Sequence, residues 1–228
     1  MERGPYVATA IVALLSASFF GAIRLEPPWR AASEAQAGVR FSSISGTFDH
    51  PRRDFRLRED KALDSVEASQ IYDLVRGTLA RGYPRSGDPV AQAYQRWSKY
   101  NTAPFPSKTR GNRYLNIYAN RIGQGYGKVE GVATLPAGSI IAADGFALVA
   151  SGEIVLGPLY IMEKMAKGFN EVSGDWRYGY LQPGGKPFGK TRGVHAARVA
   201  YCVACHRAVE NRDHLYFVPQ RFRAIQRR

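Results

Sequence analysis

The sequence predicts an α+β fold: helices first, then an antiparallel sheet, then one short helix near the C-terminal end. Two observations predict it. Helical periodicity is confined to the stretch from Leu63 to about Tyr100. From Arg113 onward, branched and aromatic residues instead form short runs bounded by glycine and proline, as strands and turns require.

The elements follow in order. Arg3 precedes an apolar run from Tyr6 to Ile23 that holds no charge, and Arg24 closes it. A short basic start before an apolar segment is an export signal. Ser16-Ala17-Ser18 and Ala35-Gln36-Ala37 both offer small residues for cleavage. The run is also about the shortest that spans a bilayer as a helix. Residues 1–23 are therefore expected to be a signal peptide or a membrane anchor, and either outcome places the remainder in the periplasm. Residues 24–60, rich in Pro, Ser, Ala and Arg, are expected to be a linker.

Residues 61–228 are expected to form one domain. Asp64 is placed to cap a helix that ends at Gly82, with Val66, Ile71, Leu74, Val75 and Leu79 near helical spacing. Asp88-Pro89 opens a second helix that runs through Ala91, Tyr94 and Trp97 to about Tyr100. Two prolines and a glycine make residues 102–111 a loop. Strands are expected at 114–118, at 139–142 after the turn Pro136-Ala137-Gly138, at 146–149 and 154–156 as a hairpin around Ser151-Gly152, and at 159–164. In Trp176-Arg177-Tyr178-Gly179-Tyr180-Leu181 the large rings fall on alternate residues and so line one sheet face. Pro183-Gly184-Gly185-Lys186 turns the chain back, and a last helix spans 198–209.

That last helix carries the chemistry. Cys202-Val203-Ala204-Cys205-His206 is the pentapeptide that fixes c-type haem. Two thiols can add to the two haem vinyl groups, and the adjoining imidazole can give a nitrogen to iron. The chain has 2 cysteines, so neither is left over. Two other readings stay open. The pair could be half of a zinc site, for which only His50, His195 and His214 remain as further histidines. It could be a redox dithiol, although no βαβ pattern precedes Tyr201. Cys202, Cys205 and His206 are thus the expected cofactor-binding residues for one covalent haem c, with His206 the ligand to iron and no catalytic side chain assigned.

The sixth iron position decides between gas binding and electron transfer. Met162 and Met165 are the methionines outside the leader. Met162 shares a strand face with Tyr160 and Lys164, which suits a haem edge or a partly wet surface better than a dry ligand pocket, and Met165 points the other way. His195 and His214 are expected to be surface or hydrogen-bonding histidines. Arg113 and Lys164 are candidate partners for the haem propionates, against the plainer reading of a solvated strand face. Trp176, Tyr178 and Tyr180 could wall the haem or simply fill the core.

The formal charge of +13 suits an acidic partner, an anionic membrane or nucleic acid. Export argues against nucleic acid. The cluster Arg221, Arg223, Arg227 and Arg228 reads as a solvated tail.

The order of motifs resembles the cytochrome P-460 family and its relative cytochrome c′-beta. The residues that carry the likeness are Tyr94-Gln95-Arg96-Trp97, Leu135-Pro136-Ala137-Gly138-Ser139-Ile140-Ile141, Ile161-Met162-Glu163-Lys164, Phe169, Gly174-Asp175-Trp176, the pentapeptide, and Asp213-His214-Leu215-Tyr216-Phe217. The likeness covers residues 94–222. It implies a curved antiparallel sheet carrying the c-type haem on a C-terminal helix. Hydroxylamine-oxidising members carry a lysine cross-linked to the haem; the matching position here is Ala143, and no lysine lies between Lys128 and Lys164. The resemblance therefore implies the branch without the cross-link, with five-coordinate iron that binds small gases such as nitric oxide. A hydroxylamine-oxidising enzyme and a six-coordinate electron carrier are the alternatives. The expected partners are a small gaseous ligand or a redox partner protein, with a homodimer and an N-terminal membrane tether as further expectations. The segment 63–82 has no counterpart in the smaller members, and no role follows for it.

Overall fold

Asp64 caps helix α1 (Ser65–Gly82). Its carboxylate accepts from the backbone N–H of Val66 and Glu67, and Glu67 reaches back to the Asp64 N–H at 3.0 Å. The computed structural model describes residues 41–42, 62–128, 134–149 and 152–225. The leader 1–23 and all of the 24–60 stretch except Phe41–Ser42 lie outside the described residues. No described helix is long and apolar enough to cross a membrane.

The buried face of α1 runs through Ala68, Tyr72, Val75 and Leu79. Val66 and Leu74, expected on that face, are exposed. The second helix, α2 (Pro89–Ala93), is much shorter than expected. It tightens into a 3-10 turn at Tyr94–Arg96, and by Ser98 the chain is a strand. The cause is local. Tyr94 is buried with its hydroxyl on Asp144, and its ring meets Tyr83 and Tyr118 edge-on. Those contacts fix Tyr94 where the helix would have to continue.

The described sheet has nine strands: β1 (Phe41–Ser42), β2 (Ser98–Lys99), β3 (Phe105–Ser107), β4 (Arg113–Ala119), β5 (Ile140–Leu148), β6 (Ile154–Leu156), β7 (Leu159–Lys164), β8 (Trp176–Leu181) and β9 (Pro187–Lys190). Every pairing is antiparallel except β1 with β6, which sets two residues of the expected linker parallel to Ile154–Val155. The two strands expected at 139–142 and 146–149 are one, β5. One edge of β5 pairs with β4; the other is shared between β7 at its start and β6 at its end. Gly145 sits where β5 changes partner. A Cβ there would come within 1.8 Å of the Tyr114 carbonyl, so only glycine fits.

Alternation along the strands builds a core on each face of the sheet. Tyr118, Ala142, Leu159 and Ile161 pack with α1 and Tyr83 in the outer core. Leu115, Ile117, Ile141, Tyr160, Met162, Trp176 and Tyr178 pack with Cys202 and Leu215 in the inner core. The segment 63–82 thus has a structural role as the outer cover. The inner core carries the last helix, α3 (Ala200–Arg207), entered through a 3-10 turn at Ala196–Val199.

Candidate functional site

His206 is 3 % exposed and sits in the last turn of α3, beside Tyr178 and Tyr216. Its Nδ1 donates to the His214 carbonyl oxygen at 2.7 Å. With that hydrogen on Nδ1, Nε2 keeps its lone pair, and it accepts from Nη2 of Arg110 at 3.0 Å. Burial pushes the imidazole pKa down to about 4, and the nearby Arg110 charge adds to the effect. The ring is therefore neutral near pH 7, the form that binds a metal.

The carbonyl that orients His206 is itself held. Asp213 and His214 both adopt left-handed backbone, with φ of 53° and 60°. The Asp213 carboxylate accepts from the Leu135 N–H at 2.8 Å and pairs with Lys164 Nζ at 2.5 Å. Trp176 Nε1 donates to the Asp213 carbonyl at 2.9 Å. The His214 ring packs on Gly174, where a Cβ would come within 2.6 Å of it. His214 is thus a buried positioning residue for His206, while His195 is exposed.

Cys202 is buried and Cys205 half-buried, and neither is in a disulfide. Burial pushes the Cys202 thiol up, and the Arg110 charge opposes that shift. Tyr216 donates its hydroxyl to the Cys205 carbonyl at 2.9 Å and lies 3.9 Å from the Cys205 sulfur.

His206 borders a cavity of about 980 Å³. Its sheet wall is formed by Leu115, Ile117, Ile141, Ala143, Tyr160 and Met162, and Leu215 and Phe217 close it from the C-terminal segment. Arg110, Lys108 and Arg221 line it too, and no Asp or Glu does among the described residues. Arg110 also stacks on Tyr160, its guanidinium carbon 4.6 Å from the ring centre.

Several expected positions are corrected here. Met162 is 9 % exposed and lines the cavity wall with His206, so of its two expected settings only the wet surface is set aside. Met165 lines a separate, smaller hollow with Lys164 and His214. Neither expected propionate partner lines the cavity. Lys164 is committed to Asp213 and to the Gly174 carbonyl, and Arg113 donates from Nη1 to the Arg110 carbonyl at 3.1 Å. The basic C-terminal cluster is not all solvated tail: Arg223 donates to the Val218 carbonyl at 2.9 Å and bridges to Asn101, while Arg221 is exposed at the cavity rim. Trp176 and Tyr178 are core residues, with Trp176 fully buried.

Arg110 is the functional residue that sequence reading missed. It lies in a 3-10 turn, Lys108–Arg110, inside the expected loop, where an arginine has no pattern to mark it.

A haem fits these residues. The neutral imidazole borders a cavity large enough for a macrocycle, the sheet wall is largely apolar, and two free thiols lie on the same short helix, although neither lines the cavity. Fold and site together suit a haem protein built on an antiparallel sheet. The family model for Cytochrome P460 matches residues 91–217, more than half of the chain. The chain belongs to the cytochrome P460 family, whose membership implies a c-type haem. No curated protein matches the chain.

Proposed function

We propose that the chain is a periplasmic protein carrying one haem, joined through thioethers at Cys202 and Cys205, with His206 as the proximal ligand and the sixth iron position open or weakly filled. It binds a small gas such as nitric oxide, or passes single electrons. Bound haem would supply the one-electron couple and the gas-binding iron. The chain's own residues do the rest. The His214 carbonyl holds His206 in one tautomer and makes Nε2 more electron-rich. Tyr178 and Tyr216 fix the ring plane. The hydrocarbon of Leu115, Ile117, Ile141 and Ala143 keeps water from the opposite wall.

The observation that carries this reading is the join of a tautomer-fixed His206 to a cavity whose sheet wall is largely hydrocarbon. Ala143 lines that wall, and the only described lysine lining the cavity is Lys108, which is exposed. That supports a haem without the lysine cross-link and argues against hydroxylamine oxidation.

Met162 supports a second reading. It is the one thioether on the cavity wall among the described residues, and a methionine ligand would make the protein a six-coordinate electron carrier. Absorption spectra of the ferric and ferrous protein, with and without carbon monoxide, separate the two. Ready binding of carbon monoxide supports the open site, and refusal supports methionine ligation.

A further inference from the structure

Arg110 is a cation with no carboxylate partner among the described residues. The ion pairs there are Lys164 with Asp213, Arg177 with Glu163 and Lys190 with Asp88, and Arg110 is in none of them. No described Asp or Glu lines the cavity that Arg110 borders. Its backbone is nevertheless firmly placed. It closes the turn Lys108–Arg110, Gly111 and Asn112 follow in left-handed backbone with φ of 64° and 58°, and Arg113 donates to its carbonyl at 3.1 Å. Its guanidinium lies on the Tyr160 ring and gives Nη2 to His206 Nε2 at 3.0 Å. One neutral ring nitrogen uses little of a charged fork that carries five donors.

We propose that Arg110 is the carboxylate anchor of the cofactor site: it holds His206 while the site is empty and a haem carboxylate once the site is filled. This rests on the haem c reading above. The exchange follows from one atom. Nε2 has a single lone pair, and Arg110 now uses it. When His206 gives that pair to iron, Arg110 loses its acceptor. Its backbone is held, so only the side chain can turn.

Where it turns is decided by charge. The other charged side chains on the cavity are Lys108 and Arg221, both cations and both exposed. A guanidinium displaced among cations and hydrocarbon is best stabilised by an anion brought in with the ligand. Haem carries two carboxylates, and a guanidinium meets a carboxylate with two parallel N–H bonds. Lys108 and Arg221 stand in water, where a charge pair is worth little. The half-buried Arg110 therefore carries the selection. Lys164 does not compete, since Asp213 holds it.

The test uses the full chain matured in a host that attaches c-type haem, with attachment read by mass. The midpoint potential is followed between about pH 5 and 8. A carboxylate beside Arg110 stays ionised across that range. Arg110→Leu removes the cation and is expected to move a redox-linked ionisation up into the range, by at least about 1 pH unit. Arg110→Lys keeps the charge and is expected to stay within about half a unit of the natural chain. Arg110→Gln serves as the neutral variant if the leucine form does not fold. A second measurement addresses the carboxylates directly. The Cys202→Ala/Cys205→Ala chain is titrated with haem and with its dimethyl ester, which has no carboxylate charge. Haem is expected to bind at least about tenfold more tightly than the ester, and added Arg110→Leu to bring the two within about threefold. A merely structural arginine would weaken both alike. An unmoved ionisation in the neutral variants overturns the proposal, as does a preference for haem over its ester that survives the loss of Arg110. If the chain without thiols takes up neither compound, the potential alone decides. Attachment to the natural chain without these effects sinks only the anchor; no attachment sinks the haem reading itself.

Discussion

His206 gives its Nδ1 hydrogen to the backbone carbonyl of His214, 2.7 Å away, and this single bond sets which nitrogen faces the cavity. The bond joins the helix that carries both thiols to a strained two-residue turn. That turn is pinned by Lys164, Leu135 and Trp176 through Asp213. Strands β7 and β8 thereby position the imidazole although neither carries it.

Attachment is the first expectation. Both thiols enter thioethers, so haem remains on the polypeptide in a denaturing gel and adds one haem mass. Cys202→Ala with Cys205→Ala removes both signals. Stoichiometric zinc and no haem, in protein matured where c-type haem is attached, would contradict the reading of the pentapeptide.

The sixth position is tested by substitution. Ferrous protein is expected to bind carbon monoxide without denaturation. Met162→Ala and Met165→Ala are expected to leave the resting spectrum almost unchanged. A change from low-spin to high-spin in Met162→Ala, with no carbon monoxide binding before it, would make Met162 the ligand.

With Ala143 on the cavity wall, the spectrum is expected to be that of an ordinary high-spin c-type haem. Peptide masses should show no lysine bonded to haem. A strongly red-shifted ferrous Soret band would reject this expectation.

Asp144 gives a pH dependence. Its side chain is fully buried on the outer face of β5, where Tyr72 and Tyr94 donate to Oδ2 at 2.8 and 2.7 Å. Burial pushes the carboxyl up from 3.8 to about 6, against the pull of the two phenols. The folded state therefore holds the proton more tightly than the unfolded chain. The stabilisation is fully present below about pH 4 and is lost as pH rises through about 6. The loss amounts to about 3 kcal/mol. Urea unfolding between pH 4 and 7 is expected to show this slope, and Asp144→Asn to flatten it. A slope that is the same in the variant would refute the assignment.

The buried pair Lys164–Asp213 is expected to matter for both stability and ligation. Lys164→Met leaves the carboxylate buried without its cation and is expected to cost about 3–5 kcal/mol in urea unfolding. A cost below about 1 kcal/mol, the value of an exposed pair, would show that the pair is not desolvated.

Much of this was legible in the sequence. Strands β7 and β8 run over the residues expected for them, because branched and aromatic side chains dominate both and turn residues bound them. Strand β5 joins two expected strands into one. Ala142-Ala143-Asp144-Gly145 has little strand preference of its own, and it is extended because strands pair on both its edges. The helix at Pro89 was overextended because Tyr94 and Trp97 fall at helical spacing, while Tyr94 in fact answers to Asp144 far away in the chain. The three donors of the pentapeptide were read from their spacing. Arg110 was not, because its partner is brought to it only by the tertiary fold.

Ala143 and Asp144 are neighbours that face opposite cores, one lining the cavity and the other held by the phenols of Tyr72 and Tyr94. A slip of β5 by one residue would exchange them and set a carboxylate against the cavity. The two tyrosines therefore act as a gauge of alignment: the phenols find their acceptor only when the strand is in step. Helix α1 through Tyr72 and the turn after α2 through Tyr94, both far from the thiols in sequence, thus proofread the wall against which the cofactor would rest.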